Sequence, residues 1–544
     1  MEALGRGKPT RIELCSHLVA GLLGADCMAK LTSRSNGHHT SDTGKVKLPP
    51  EVPQSLVDLT PSATDQDVLE ALVRNKHAQD AALAELAQCS LAQRIQARIK
   101  AAVLLAVMLC TLPWSLAGAM LLCTLQRLRA MLPSSRTVGE HNNRKASMKT
   151  AIVTSGHMTK ALHAVRHLHR AGWRVVVVDY DKWWMAMTRF SNCADVFEAV
   201  PDPGWDPEGY MRGIARIARQ YSASLIVPVA PPNHSIYDSL VKDILPAGCR
   251  SVALGAPITA LLDDKVKYSE LCEKVGVRTP RHFRVSSAQQ LLDLNSRRDV
   301  FAGAQFLLKS IAYDPSHRVD LFKLPCSETK LQAYLRTIEI SEACPWMLQQ
   351  FLTGQEFSCY TIAHEGQVKA HADNEASISC LSYEHVGSED IWRWVERFCA
   401  GTRLNGQVCF DFMRNEQDGQ MYSIECNPRN STVITTFHDQ PLFAAALTDP
   451  QAVTTVVKPV PGSPPLYWFW NEAYTLVSGK GSFWVWAHTM WRGVDAVFEA
   501  ADPLPFFAMH YLQAPVQLAR NVVAGRPWVK LDLCIGKVSE LGGD

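Results

Sequence analysis

The spacing of apolar positions changes abruptly at Lys149. From there KTAIVTSG is a short apolar run, MTKALHAVRHLHRAG carries apolar residues at helical spacing, and WRVVVVDY is a second run. EGYMRGIARIARQY returns to the helical period and SLIVPV is a third run. Runs of this length read as buried strands, and their alternation with helices predicts a parallel sheet in an α/β fold. The first turn, Ser155-Gly156-His157-Met158, lacks the G-x-G-x-x-G spacing of a dinucleotide site. His163, His167 and His169 fall on the first of these helices, where a solvated face is the expected setting because no third metal ligand is evident.

Upstream, residues 65–98 are rich in Ala, Leu and Gln and predict helix. Residues 101–126, AAVLLAVMLCTLPWSLAGAMLLCTLQ, then run without a charge. A bilayer needs about 20 apolar residues. Basic residues lie on both sides (Arg94, Arg98 and Lys100 on one; Arg127, Arg129 and Arg136 on the other), so charge does not orient the segment. Pro113 is tolerable in a membrane helix and costly in a soluble one. The run predicts membrane attachment, with a helix pair buried against the body as the alternative. SSRTVGEHNNRKAS, 134–147, reads as a linker. Residues 1 to about 60 look weakly ordered, and Glu2, Glu13 and Asp26 argue against a signal or transit peptide.

The alternation of strands reaches its most informative point at CFDFMRNEQDGQMYSIECNPRNS, 409–431. Val408–Met413 and Met421–Cys426 are β-prone and flank Asp418-Gly419, a strong hairpin signal. A tight hairpin sets Asp411 roughly opposite Glu425, with Asn427 on the face of Glu425. Like charges facing each other across strands destabilise a sheet unless a cation lies between them. A polar surface hairpin would also carry scattered acids, but these sit in apolar strands. Oxygen donors without His or paired Cys suit Mg²⁺, which completes its shell with substrate phosphates.

Lysines suited to those phosphates occur upstream. LLDDKVKYSELCEKVGVRTP, 261–280, predicts a helix with Lys265 in its first turn, and FLLKS, 306–310, is an apolar strand ending near Lys309. Each lysine alone would ordinarily be a surface residue. WMLQQFLTGQE, 346–356, reads as an apolar strand ending in Gly354, with Glu356 just beyond. Such a strand can offer backbone groups to a flat heterocycle while the carboxylate takes sugar hydroxyls.

Composition narrows the setting. The 544 residues suffice for about three domains, and 47% hydrophobic with 20% charged residues is a globular balance. A net charge of +2 gives no reason to expect a nucleic-acid partner. The 16 cysteines contain no C-x-x-C, which favours a reducing compartment over a zinc ribbon or disulfide framework. The last segment, 456–544, is dense in Trp and Phe (Trp468, Phe469, Trp470, Phe483, Trp484, Trp486, Trp491). Core packing of a small cap is the preferred reading over membrane-interface contact.

The order Lys265, Lys309, strand-Gly-x-Glu, Asp411, Glu425-x-Asn427 resembles the ATP-grasp superfamily of carboxylate–amine ligases over residues 148–455. The resemblance implies ATP with Mg²⁺, or Mn²⁺ in its place. It implies that Lys265 and Lys309 grip phosphates, that Gln349, Gln350, Phe351 and Leu352 bind adenine, and that Glu356 binds ribose. Asp411, Glu425 and Asn427 would hold metal, and Arg429, in Glu-Cys-Asn-Pro-Arg, would face the phosphoryl acceptor. Two departures stand out. The segment after Lys309, Ser310–Arg318, has no glycine where the family has a Gly-rich flap, so Arg318 or Ser316 would act by side chain. Gln349 stands where many members have Glu.

The implied organisation is a weakly ordered N-terminus (1–64), a helical extension with the apolar segment and linker (65–147), a pre-ATP-grasp α/β domain (148–257), an ATP-grasp domain (258–455) and an aromatic cap (456–544). LLKSIAYDPSHRVDLFKLPC, SGHMTKALHAVRHLH, DPEGY, LDDKVKYSE and PWVKLDLCIGKVSELGGD are similar to the ATP-grasp family that makes mycosporine-glycine. That likeness implies a cyclohexenone acceptor of the 4-deoxygadusol type and an amino acid, glycine. Readings left open are a related ligase with another acceptor and amine, and a membrane-tethered, inactive ATP-binding module. His157, Tyr180, Asn233, His234, Tyr383, Arg429 and His438 are candidates for the acceptor pocket. The catalytic domain is expected to be cytoplasmic, with membrane anchoring through 101–126.

Overall fold

The computed structural model describes residues 63–131, 148–312, 317, 320–376 and 382–540. The expected weakly ordered N-terminus and the linker at 134–147 fall outside them. The structure has a mixed α/β fold.

Three helices open the described chain: α1 (Asp65–Gln88), α2 (Leu91–Cys110) and α3 (Leu112–Met131). The predicted helix at 65–98 is therefore two, parted at Cys89–Ser90, where the Ser90 hydroxyl and the Gln93 side chain form a reciprocal cap. The uncharged run is also broken. It bends by 52° between α2 and α3, and no single helix among the described residues is long and apolar enough to cross a membrane. This corrects the expectation of one continuous span at 101–126. Hydropathy counts apolar residues without registering the bend next to Pro113.

Next comes the predicted parallel sheet. Its strands are β1 (Thr150–Thr154), β2 (Arg174–Tyr180), β3 (Val196–Val200), β4 (Ala223–Val227) and β5 (Arg250–Ser251), in the order β3-β2-β1-β4-β5. β1 and β4 are neighbours in space with two strands between them in sequence, so the chain reverses direction across the sheet there. Ligand crevices form outside the carboxyl ends of strands at such a point. Helices α4 (Thr159–Arg170) and α5 (Pro207–Gln220) cover the sheet. His163 and His167 on α4 are buried rather than solvated. His163 Nε2 lies 2.7 Å from the Ala496 carbonyl, and the His167 ring meets Phe443 edge-on. The expected open face is covered by later parts of the chain, which local periodicity cannot reveal.

Helices α6 (Ala256–Asp263) and α7 (Lys265–Val275) follow, so the helix predicted within 261–280 starts anew after Asp263, with Lys265 in its first turn and its exit at Gly276 as expected. Asp264 breaks it, its carboxylate accepting from the Val266 and Lys267 amides as the N-cap of α7.

Two antiparallel sheets complete the body. One has the order β6-β9-β7-β8, with β6 (His282–Val285), β7 (Phe306–Ser310), β8 (Lys323–Leu324) and β9 (Trp346–Gln350). The other has the order β11-β10-β13-β14, from β10 (Gly354–His364), β11 (Gln367–Glu375), β13 (Gly406–Asn415) and β14 (Met421–Asn427); β12 is Ser382–Tyr383. Helix α8 (Glu389–Thr402) covers this second sheet, its Trp394 and Phe398 packing on Phe410 and Phe412. The C-terminal segment adds α9 (Phe469–Val477), α10 (Phe483–Arg492), α11 (Ala514–Ala524) and short strands, among them the pair Trp528–Asp532 and Lys537–Glu540.

Candidate active site

The predicted hairpin is present, and its register places Asp411 directly opposite Glu425. Pairing shifts between Asp411 and Phe412, a local irregularity beside the acid. Ser358 Oγ on β10 donates to Asp411 Oδ1 at 2.5 Å, and Asn427 Nδ2 donates to Oδ2 at 2.9 Å. These bonds do not offset the cost of desolvation and the facing Glu425 charge. Together those push Asp411 up from 3.8 to about 7, with Glu356 adding to the rise. Asn427 Oδ1 in turn accepts from Arg429, whose Nη1 lies 3.8 Å from Asp263 Oδ1.

Lysines approach from two other elements. Lys265, the first residue of α7, places its Nζ 3.4 Å from Glu425 Oε1. Lys309 on β7 donates to Gln349 Oε1 at 2.7 Å, while Gln349 Nε2 donates to the Ile424 carbonyl at 3.0 Å. Gln349 therefore ties the β9 sheet to β14 beside the acids. Burial lowers the Lys309 pKa; Glu425 opposes that fall, Lys265 deepens it, and Glu356 and Asp411 oppose it. Glu356 is raised by desolvation, against the pull of Lys309 and with a further push from Glu425.

Lys265, Lys309, Gln349, Glu356, Asp411, Glu425, Asn427 and Arg429 are thus brought together. Gln350, Phe351 and Leu352, the other residues expected to bind adenine, follow Gln349 along the chain. The strand ends at Gln350 rather than at Gly354, which instead starts β10 with φ 144°. A Cβ at Gly354 would fall 1.9 Å from the Arg414 carbonyl, so the sheet pairing demands glycine there. Gln350 Oε1 accepts from Arg281 Nε, Lys323 Nζ lies 3.8 Å over the Phe351 ring, and Leu352 is buried. Arg318 and Ser316 lie outside the described residues.

The Asp411 and Glu425 carboxylates face each other, and Asn427 beside them turns its Nδ2 to Asp411 and its Oδ1 to Arg429. No group of three or more His, Cys, Asp or Glu side chains placed to hold a metal occurs among the described residues. Two facing carboxylates fit an ion such as Mg²⁺ that takes further oxygens from elsewhere, and Asn427 Oδ1 would join them on turning from Arg429. The raised Asp411 points the same way, because a cation there would relieve the repulsion.

Three features are not evident in the sequence. Asp264, fully buried, receives Arg74 Nη1 of α1 at 3.0 Å and Arg284 Nη1 at 3.2 Å. Lys267 of α7 meets Asp67 and Glu70 of α1 at 2.7 and 2.6 Å. The helix preceding the apolar run therefore braces the element that presents Lys265. Lys160, in the first turn of α4, donates to the Ala230 carbonyl beyond β4 and to the Asn430 carbonyl beside Arg429. Burial, then the charge of Arg429, lowers Lys160 to about 7. A Lys among apolar residues in a first helical turn was the available signal.

The acceptor candidates divide. His157 and Tyr180 sit at the carboxyl ends of β1 and β2. His157 Nδ1 lies 2.9 Å from Asp179 Oδ2, its ring stacks on Trp183, and Tyr180 OH is 2.9 Å from His234 Nδ1. Asn233, the neighbour of His234, accepts from Asn75 of α1 on its carbonyl. Tyr383 packs on Trp468 and His438 contacts the Pro464 carbonyl, both in the C-terminal segment.

No family model and no curated protein matches the chain. Among solved structures it is similar to N5-carboxyaminoimidazole synthetase from Staphylococcus aureus (14% identity, TM-score 0.44, 59% of this chain and 82% of that one). It is also similar to phosphoribosylamine–glycine ligase from Thermotoga maritima (13%, 0.43, 58% and 78%). A third is the biotin carboxylase domain of 2-oxoglutarate carboxylase from Hydrogenobacter thermophilus (14%, 0.42, 53% and 65%). The chain spans less than two thirds of that last domain and 28% of Rhizobium etli pyruvate carboxylase. Likenesses this distant carry no inference about chemistry; that rests on the site residues themselves.

Proposed function

We propose that this chain is an ATP-dependent ligase of the ATP-grasp type. The observation that carries the reading is the pairing of Asp411 with Glu425 while Lys265 stands 3.4 Å from Glu425 and Lys309 sits beside Gln349. Acids and ammonium groups from separate elements alternate around one spot, the arrangement needed for a metal-bound polyphosphate. Mg²⁺ on Asp411, Glu425 and Asn427 would supply charge neutralisation at the phosphate oxygens.

The chain's own groups supply the rest. Lys265 and Lys309 would hold the phosphates, Glu356 the ribose, and the segment from Gln349 to Leu352 the adenine. Arg429, oriented by Asn427, would face the acceptor at the crevice between β1 and β4. Catalysis would be positioning and electrostatic stabilisation, since phosphoryl transfer asks little covalent help of the protein.

For the substrates, the reading is 4-deoxygadusol and glycine. The γ-phosphoryl passes to the enolic or carbonyl oxygen, the amine attacks the activated carbon, and phosphate leaves. The products are mycosporine-glycine, ADP and phosphate. Support comes from the quoted segments Ser155–His169, Leu262–Glu270 and Leu307–Cys326, which are similar to that family. The test is incubation with ATP, Mg²⁺, glycine and 4-deoxygadusol. A new ultraviolet absorber with one ADP per product supports the full reading. ADP release with other acceptor–amine pairs alone leaves a ligase of different specificity. ATP binding without ADP release across the panel overturns the ligase reading.

A further inference from the structure

Outside the site, α2 and α3 are apolar on more sides than they bury. On α2, Ala97, Ala101 and Leu104 pack against Leu518, Trp528 and Val538. Leu91, Ile95, Ile99, Val103 and Val107 recur every fourth residue on another face, each between 45% and 71% exposed. On α3, Ser115 accepts from Trp470 Nε1, and Gly118 lies against the Phe469 ring. Its outward side exposes Leu112, Trp114, Leu116 and Met120. The adjoining α9 and α10 expose Val477, Phe483, Trp484 and Trp491, with Trp484 at 79%. Isolated exposed apolar residues are ordinary, whereas a concentration of this kind marks a contact surface.

Charge identifies what it contacts. Residues 91–131 contain Arg94, Arg98, Lys100, Arg127 and Arg129 and no carboxylate. Arg98, Lys100 and Arg127 are exposed, though Arg98 also donates to the Val523 carbonyl and Lys100 to the Trp528 carbonyl. Aliphatic and Trp side chains bordered by cations match an anionic lipid leaflet, with basic groups at the headgroups and indoles at the interface. The 52° bend favours lying along such a surface over crossing it. That bend is held to the body at Thr111 and Ser115, whose hydroxyls both meet Tyr511 OH.

We propose that α2, α3 and the α9–α10 pair form a monotopic surface that seats the protein on an anionic membrane leaflet without spanning it. This does not depend on the ligase reading. The test is co-flotation of the full chain with phosphatidylcholine vesicles, with and without phosphatidylserine. Flotation is expected with the anionic vesicles, with quenching of Trp fluorescence by brominated acyl chains. The double substitution Val103→Glu, Val107→Glu and, separately, Trp484→Ser should each lower the floated fraction while the melting temperature is retained. A full chain that stays at the bottom of the gradient overturns the proposal. So does flotation that neither variant reduces, or a dimer that Val103→Glu, Val107→Glu dissociates in a protein that never floats.

Discussion

Asp411 faces Glu425 across the β13–β14 ladder, and Lys265 stands at the rim of the pair, 3.4 Å from the Glu425 carboxylate. Replacing Asp411 with Asn removes one of the two facing charges. The metal-free protein should then gain roughly 1–3 kcal/mol of stability. Turnover should fall by about 10²–10³-fold, as when a group that stabilises transition-state charge is lost. Denaturant unfolding and ADP release, measured on the same variant, check both halves. A variant with normal turnover would remove the metal role from this carboxylate.

A pH dependence follows with a definite sign. Asp411 has its pKa raised in the folded state, from 3.8 to about 7. Between those values the folded chain binds more protons than the unfolded one. Stability of the metal-free protein should therefore decline as pH rises through that window. Asp238, also raised to about 7 by burial, acts in the same direction. A cation needs Asp411 ionised, so stabilisation by Mg²⁺ and ATP should grow from about pH 6 to about pH 8. Melting temperatures with and without Mg²⁺-ATP at the two pH values measure this. Asp411→Asn should abolish that growth and leave the Asp238-linked part of the decline in the metal-free protein.

Lys160 links the loop after β4 to the carbonyl beside Arg429. Lys160→Met keeps most of the volume and deletes the ammonium. The expected result is an acceptor KM raised by about tenfold, the cost of roughly 1.4 kcal/mol of lost positioning. ATP affinity should be unchanged, because the Lys160 ammonium bonds to the Ala230 and Asn430 carbonyls and to none of the residues assigned to the nucleotide. Equal losses in ATP and acceptor binding would show a general packing defect instead.

Arg74 reaches from α1 to the buried Asp264 that caps α7. Arg74→Ala leaves that carboxylate with Arg284 as its one charged partner, beside the Val266 and Lys267 amides. A loss of about 2 kcal/mol is expected, below the cost of fully orphaning a buried charge because one partner remains. The ATP KM should rise as well, since Lys265 begins the capped helix. Unchanged ATP affinity would mean that α1 braces the body without influencing the nucleotide site.

Part of the site is legible in the amino-acid sequence alone. Alternation within β13 and β14 and the Asp-Gly turn placed Asp411 against Glu425, and the apolar runs marked β1, β2 and β4. These are relations between residues close in the chain, where backbone period and turn chemistry decide the outcome. The order of lysines and acids suggested a phosphate site, but not that Gln349 would bind Lys309 and bridge two sheets.

Tertiary structure alone decided the rest. The contacts of Arg74 with Asp264 and of Lys160 with Asn430 join residues 190 and 270 apart. No local pattern records them. The partner that buries His163 lies 333 residues further along the chain. Hydropathy over 101–126 reported apolar content and missed the bend that makes two helices of it. Short-range periodicity sets which face of an element is apolar; what covers that face depends on where the remainder of the chain returns.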